Sequence, residues 1–284
     1  MAGSGDPATR TGRMAVLGDV RPEPAAFDEA ATGYDAAFTG TLLGRMLRAR
    51  VWEVLAEVSR AGERVLDLAC GTGEDALWLA QQGRRVVASD GSLQMLAVAG
   101  QKIRQAGLAQ QVVLQQRSLQ AIAASAGGTD DQSPFDGVLS NFGGLNTLPV
   151  WRPLAVALAQ QVRPGGWAVL VVMGPVCPWE VGWHLLHGQP AAATRRWRGS
   201  AAAQIGARTI PVWYPPPRRL QQSFAPWFRR RALYSLGLWL PPSYLAHLVS
   251  RWPRLFHWLD RAERRVARLT AGWGDHYILL LQRG

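Results

Sequence analysis

The sequence predicts an α/β fold, a doubly wound and mostly parallel sheet with helices on both faces. Three observations predict it. Short apolar runs alternate with stretches of helical period from Arg64 to Met173, a glycine-rich turn follows the first of these runs, and 284 residues at 48% hydrophobic and 18% charged are enough to bury a full core.

The elements follow in order. Leu43, Met46, Val51, Leu55 and Val58 recur near the helical period and predict a helix over 42–59, stopped by Ala61-Gly62. Arg64 to Ala69 is an apolar run bounded by glycines and predicts a strand; Glu74 to Gln82 predicts a helix. Arg85 to Asp90, a helix from the N-cap Ser92 to Ala106, and Gln111 to Gln115 continue the alternation. Phe135 to Asn141 and Trp167 to Met173 are two more strands, separated by a helix from Trp151 to Val162 that Pro164-Gly165-Gly166 terminates. Beyond Gly174 the rhythm changes to a helix at Trp179 to Leu186, an Arg-rich loop and the Pro-rich exit Tyr214 to Pro217. Helix Arg218 to Phe224, strand Trp227 to Ser235 and a final strand, His276 to Leu281, complete a Rossmann-like seven-stranded mixed sheet whose last strand is antiparallel. The organisation expected is a flexible leader (1–20), a core with an N-terminal helical segment (21–174), a cap insertion (175–216), a core continuation (217–237), a helical cap insertion (238–274) and the last strand (275–284). The cap is expected to be mainly helical.

Composition narrows the setting. No uninterrupted apolar stretch of 18 residues exists to span a bilayer, and residues 1–20 lack the apolar core of a signal peptide. Two cysteines, Cys70 and Cys177, make neither a disulfide framework nor a metal-ligand pattern, so a reducing cytoplasm is expected. Charge is divided unevenly. Up to Val150 there are 13 basic and 16 acidic residues; beyond it there are 18 and 4, together with 11 of the 13 tryptophans. A basic, Trp-rich half of this kind suits an anionic membrane surface, a nucleic acid or an acidic substrate, and also follows from an Arg-heavy composition in which Lys102 is the only lysine.

The chemistry concentrates in Asp67-Leu-Ala-Cys-Gly71-Thr-Gly73, at a strand end that opens a helix. Glycines let backbone approach a ligand, and a helix N-terminus offers unpaired N–H donors. Asp90, at the end of the second strand, is placed to accept both hydroxyls of a ribose, which indicates an adenosine-containing cofactor. A dinucleotide pyrophosphate is disfavoured because Asp67, Glu74 and Asp75 crowd the turn. The sulfonium and ammonium of S-adenosylmethionine suit such a loop.

Val65-Leu-Asp-Leu-Ala-Cys-Gly-Thr-Gly73 resembles motif I of the class I S-adenosylmethionine-dependent methyltransferases. Val86 to Leu96, Asp136 to Phe142 and Arg163 to Leu170 are similar to the family's second-strand, fourth-strand and fifth-strand motifs, in order. Phe27-Asp28 and Tyr34-Asp35 resemble the entry segment of small-molecule members of the quinone-methylating, UbiE-like type. The resemblance implies that Asp67 and the backbone of Ala69, Gly71 and Gly73 hold the methionine part, that Asp90 holds the ribose, and that Gly91 with Leu93 or Met95 flanks the adenine. It further implies Asn141 and Phe142 near the methyl group, with Tyr34 closing from above. Where the family often carries an Asp after the third strand, this chain has Gln116-Arg117-Ser118-Leu119, so Ser118 and Leu119 take that place. The product is then S-adenosylhomocysteine, and no metal is expected.

The acceptor is less constrained. Glu180, His184 and His187 share one face of a helix in the cap and, with Tyr244 and the Asp275-His276 pair, are base candidates; the alternative is a polar helix face. Cys177 reads as structural. Ser140-Asn-Phe-Gly-Gly144 lacks the Asn/Asp-Pro-Pro-aromatic motif of amino-directed base methyltransferases, so nucleic acid is disfavoured. A helix set on Leu255 gathers Leu255, Trp258, Leu259, Ala262, Val266 and Leu269 on one side, with Arg254, Arg261, Arg264, Arg265 and Arg268 broadly opposite. Its apolar face either lies on the protein or meets a membrane surface. The expectation is methyl transfer to a small, hydrophobic or membrane-associated, lipid-like acceptor by a cytoplasmic protein, peripheral on the inner face of a membrane. The alternative is a non-catalytic protein of the same fold that binds a membrane or RNA.

Overall fold

The computed structural model describes residues 24–125 and 134–284; the leader expected at 1–20 lies outside the described residues. Helix α1 (Pro24–Tyr34) runs into a π-helical segment (Asp35–Thr39), and the Thr41 side chain caps α2 (Leu42–Val58) by accepting from the Gly44 N–H at 3.0 Å. The alternating core comprises β1 (Arg64–Leu68), α3 (Glu74–Gln81), β2 (Arg85–Asp90), α4 (Leu93–Gln105), β3 (Val112–Gln116), α5 (Leu119–Ala124), β4 (Phe135–Ser140), α6 (Arg152–Gln161) and β5 (Val162–Met173). Then come α7 (Pro178–Leu186), α8 (Pro190–Ala193), β6 (Ser200–Ile205), β7 (Arg208–Trp213), α9 (Pro217–Phe224), β8 (Phe228–Leu236), α10 (Ala246–Arg251), α11 (Pro253–Val266) and β9 (His276–Arg283).

The main sheet has seven strands in the order β3-β2-β1-β4-β5-β9-β8; β9 is antiparallel to both neighbours and the other pairs are parallel. Both faces are covered. Leu43, Leu47, Val51 and Leu55 of α2 pack with Ala76 and Leu79 of α3 on one face, and Leu154, Leu158, Leu220 and Phe224 of α6 and α9 on the other. This double burial explains why β1 reads as a continuous apolar run, with residues 65–68 all buried. Because β1 pairs with β2 on one side and β4 on the other, the chain reverses direction across the sheet here, and a crevice opens at the carboxyl ends of these strands.

Three local expectations differ from the structure. The Arg-rich loop expected in the first insertion contains a hairpin, β6 paired to β7 with Ala203 opposite Ile210, so the cap is helical plus this ribbon. Ser200-Ala-Ala-Ala carries little strand propensity; the pairing is stabilised by packing of Ile210, Val212 and Tyr214 on Ala26 of α1. Pro164-Gly165-Gly166 does not separate helix from strand: α6 stops at Gln161, and Val162 already pairs with Phe135, with a register shift absorbing the glycines. On α11, Phe256, Asp260 and Glu263 face inward, while Leu255 and Trp258, and Leu269 just beyond the helix, are exposed. The acids turn inward because Glu263 accepts the Leu238 and Trp239 N–H groups at 3.0 and 3.3 Å, satisfying backbone beyond β8.

Among the described residues no helix is long and apolar enough to cross a membrane.

Candidate active site

A cleft of about 950 Å³, counting its open mouth, lies at the carboxyl ends of β1, β2 and β4 beneath α1. Of the residues expected there, Tyr34, Asp67, Ala69, Gly71, Asp90, Gly91, Met95, Ser118, Leu119, Asn141 and Phe142 line it. Gly73 and Leu93 do not. Gly73, at φ +75°, caps α3, and a Cβ added there would lie 2.7 Å from the Cβ of Ala99; its missing side chain lets α3 approach α4. Leu93 is turned to solvent.

Asp67 is 1% exposed, and its Oδ2 has no hydrogen-bond partner among the described residues. Burial, reinforced by the charge of Asp75, pushes its carboxyl well above the usual carboxylate range. Asp90 is differently placed. Its Oδ2 accepts the Gly71 N–H at 2.9 Å and its Oδ1 the Ser92 N–H at 2.8 Å, so the carboxylate ties the glycine turn to the start of α4 with lone pairs left facing the cleft. Burial still raises its pKa, against those hydrogen bonds.

The other two acids of the turn are neutralised from elements remote in sequence. Asp75 binds the Arg48 guanidinium and accepts from Trp52 Nε1 at 2.7 Å and Asn141 Nδ2 at 3.0 Å. Glu74 and Asp35 share the Lys102 ammonium at 2.8 and 3.0 Å. Among the described residues, the cleft carboxyls left without a cationic partner are therefore those of Asp67 and Asp90, not the whole acidic turn.

Helix α1 is fastened over the mouth at both ends. Asp28 accepts from Ser92 Oγ at 2.5 Å and from the Gln94 N–H at 3.1 Å, while Asp35 accepts from Thr72 Oγ1 at 2.6 Å. Burial would raise Asp35, but the Thr72 hydroxyl and Lys102 hold it below the usual range. Phe27 and Tyr34 then point into the cleft. Two non-glycine residues on its wall have positive φ, Ala69 at +52° and Phe142 at +44°, the kind of strain that gathers at ligand sites. A Cβ on Gly144 would lie 2.7 Å from that of Ala69, so glycine is required where these two turns meet.

Phe27 of the expected entry segment also lines the cleft, with residues that sequence reasoning passed over, among them Arg48, Gln120 and Thr147. The Gln120 Nε2 is buried and without a partner. Ser118 Oγ is engaged as the cap of α5, accepting the Ala121 N–H at 3.1 Å. The base candidates of the cap lie off the cleft wall. His184 bonds Gln189 at 2.8 Å and meets the Tyr244 hydroxyl at 3.3 Å, and His187 bonds the Trp183 carbonyl at 2.7 Å. Glu180, buried, instead accepts from Arg195 and Arg196. His276 packs edge-on against Phe142, ring centroids 5.4 Å apart. Cys177 is buried and its thiol pushed up to about 12, which keeps it protonated and unreactive. No cluster of His, Cys, Asp or Glu among the described residues is arranged to hold a metal.

Residues 65–166 match a family model described as a methyltransferase domain. A demethylmenaquinone methyltransferase of Thermobifida fusca is 32% identical over 199 residues, 69% of this chain and 81% of that protein. The chain belongs to the class I S-adenosylmethionine-dependent methyltransferases. The demethylmenaquinone methyltransferase of Clavibacter sepedonicus is 35% identical over 149 residues, 51% of this chain and little more than half, 56%, of that protein's length. A tRNA 5-carboxymethoxyuridine methyltransferase of Escherichia coli is 28% identical over 148 residues, 49% of this chain and 53% of that protein. Among solved structures, an S-adenosylmethionine-dependent methyltransferase of Mesorhizobium loti superposes with a TM-score of 0.56 at 20% identity, over 82% of this chain and 97% of that one, a likeness of fold.

Proposed function

We propose that this methyltransferase moves the methyl group of S-adenosylmethionine to a small, hydrophobic, quinone-like acceptor of the kind a membrane carries. The observation that carries the reading is the pairing of two buried carboxylates in one cleft, Asp67 with an orphaned oxygen and Asp90 with free lone pairs. An ammonium satisfies the first and two ribose hydroxyls the second, and the ligand's sulfonium and ammonium outweigh its single carboxylate, a balance that a pyrophosphate could not offer. The residues present therefore fit S-adenosylmethionine.

When bound, the cofactor supplies a methyl group on a positively charged sulfur. The chain's contribution is placement: Asp67 and the turn at Gly71 take the amino-acid end, Asp90 the ribose, and Met95, Leu119 and Gln120 the adenine. Holding two reactants in line supplies on the order of 7–11 kcal/mol of a displacement barrier without a catalytic base. Asn141, held by Asp75, accepts the Phe142 N–H at 3.0 Å and fixes the Phe142 ring, the residue assigned to the methyl-transfer side. From there Phe38 stacks edge-on at 5.0 Å, Tyr34 follows at 6.1 Å, and Phe27 adjoins the apolar patch of Ile210, Val212 and Met173. Phe27, Tyr34 and Phe142 line the cleft with the other residues packed behind them, and such a wall favours a flat, apolar acceptor, in keeping with the names of the relatives from Thermobifida and Clavibacter.

The test is transfer of radiolabelled methyl from S-adenosylmethionine to a short-chain demethylated naphthoquinol, with bulk tRNA as the competing substrate. Label in the quinol supports the reading. Label only in tRNA replaces the acceptor, and binding of S-adenosylhomocysteine with no transfer to either points to the non-catalytic alternative.

A further inference from the structure

We infer that the outer face of α11 is a docking surface for an anionic lipid bilayer. The inference deepens the reading of a membrane-carried acceptor, but the surface is argued from its own residues. On this helix both acids are turned inward beside Phe256 and Leu259, while other apolar residues are turned outward. Its two acids, Asp260 and Glu263, are buried, with Asp260 bonded to Arg264 at 3.0 Å and Glu263 to backbone. Arg264 is also paired with Glu53 of α2 and so anchors the helix to the core. What remains outside is apolar and cationic: Trp258 is 64% exposed, Leu255 50% and the preceding Trp252 51%. Leu269, just past the helix, is 86% exposed.

At 100° per residue, Leu255, Trp258 and Ala262 form one outward stripe, and Arg254, Arg261 and Arg265 form a parallel stripe beside it. The three arginines are exposed, and among the described residues no carboxylate pairs with any of them. An exposed tryptophan and leucine row flanked by unpaired guanidinium groups matches the two layers of a bilayer interface, acyl boundary and phosphate headgroups. Charge complementarity selects anionic lipid. Exposed leucines favour lipid over RNA, whose phosphates pair with arginine but offer nothing to an aliphatic stripe.

The location fits delivery of an apolar acceptor. Helix α11 belongs to the connection from the end of β8 to the start of β9; Met173 and Leu236 both pair with His276, so this is the sheet edge on which the cleft opens. Phe256 packs 6.0 Å from Trp179 of α7, which follows β5 at that same edge.

The experiment is co-sedimentation of the whole chain with vesicles of phosphatidylcholine mixed with phosphatidylglycerol, and with phosphatidylcholine alone, at low and high salt. Wild type is expected to pellet with the anionic vesicles and to release as salt rises. At about 1 kcal/mol per surface arginine, the triple variant R254Q/R261Q/R265Q should lose roughly 100-fold in partitioning. The double variant L255S/W258S should lose at least about 10-fold from its apolar term. Because every substituted residue is exposed, each variant should keep the wild-type melting temperature and S-adenosylhomocysteine affinity, which separates failure of docking from failure of the methyltransferase reading. Absence of pelleting, or unchanged partitioning of the triple variant, overturns the inference. Tighter binding of the wild type to RNA than to vesicles, lost in the triple variant, assigns the surface to nucleic acid instead.

Discussion

Replacing Asp67 with asparagine should pull stability and ligand affinity in opposite directions. The side chain is enclosed, its Oδ2 is unpaired, and burial raises its carboxyl far above the ordinary 3.8. The unfolded chain releases this proton at the ordinary value while the folded chain retains it. Stability therefore falls as pH rises through the window from the unfolded to the raised folded value, and is level above it. Asparagine keeps the shape without the charge. The amide still leaves one polar atom unpaired there, so the gain is only that of removing a carboxyl that must either bury its charge or hold its proton, on the order of 1–3 kcal/mol of stability for the ligand-free variant at neutral pH. At about 2–4 °C per kcal/mol for a chain of this size, its melting temperature should rise by about 2–12 °C. Binding moves the other way, because a charge-assisted hydrogen bond to the ligand ammonium is worth about 1.5–3 kcal/mol, or about 10- to 150-fold in affinity. Wild-type affinity should also rise with pH as Asp67 ionises, and the variant's should not. Scanning calorimetry and isothermal titration with S-adenosylhomocysteine read both quantities. A variant that melts lower and binds as tightly as wild type refutes the assignment of Asp67.

Asp90→Ala removes the acceptors proposed for two ribose hydroxyls as well as the tie between Gly71 and Ser92, and titration should show at least about 100-fold weaker binding. Gln120→Ala should cost only about 5- to 10-fold in the same titration, one neutral hydrogen bond to the adenine. Gly73→Ala sets a methyl against Ala99 in a left-handed backbone and should destabilise by about 1–3 kcal/mol, seen as a lowered melting temperature. Glu180→Gln breaks a buried pairing with Arg195 and Arg196, worth about 3–5 kcal/mol at neutral pH. Burial works against ionisation there, but the arginines hold the Glu180 carboxyl below its ordinary 4.5. Its stabilisation is present above that value and lost as pH falls through the depressed one, so melting curves of wild type and variant should converge in acid.

Most of the residues expected to hold the cofactor do line one cleft, and that much was legible because its determinants are local. Asp67, Gly71 and Asp90 sit at strand ends whose position follows from apolar runs and glycine turns, and the same runs set the parallel sheet. Arg48 was passed over as a charged residue, although the helical period sets it on the buried face with Gly44, Val51 and Leu55; what the sequence could not show is its partner, Asp75, which arrives from α3. The acidic turn was over-read for the same reason, since Lys102 and Arg48 neutralise Glu74 and Asp75 across long sequence separations. Gln120 lies one residue beyond the stretch in which a carboxylate was sought; its signal was a polar side chain in the first turn of a short helix after β3. The hairpin of β6 and β7 is made of alanine and proline as much as of strand formers, and it exists where α1 offers an apolar surface. On α11 periodicity found the apolar and arginine stripes but not that Phe256, Asp260 and Glu263 form the inward face, because Glu263 is drawn in by two N–H groups beyond β8.

The most direct measurement is a crystal structure of the chain with S-adenosylhomocysteine. The ligand should lie across the ends of β1, β2 and β4, with its ammonium on Asp67 Oδ2, its ribose hydroxyls on Asp90 and its sulfur toward Phe142. Density for the ligand in any other place, or an Asp67 side chain still without a partner in the complex, would contradict the account.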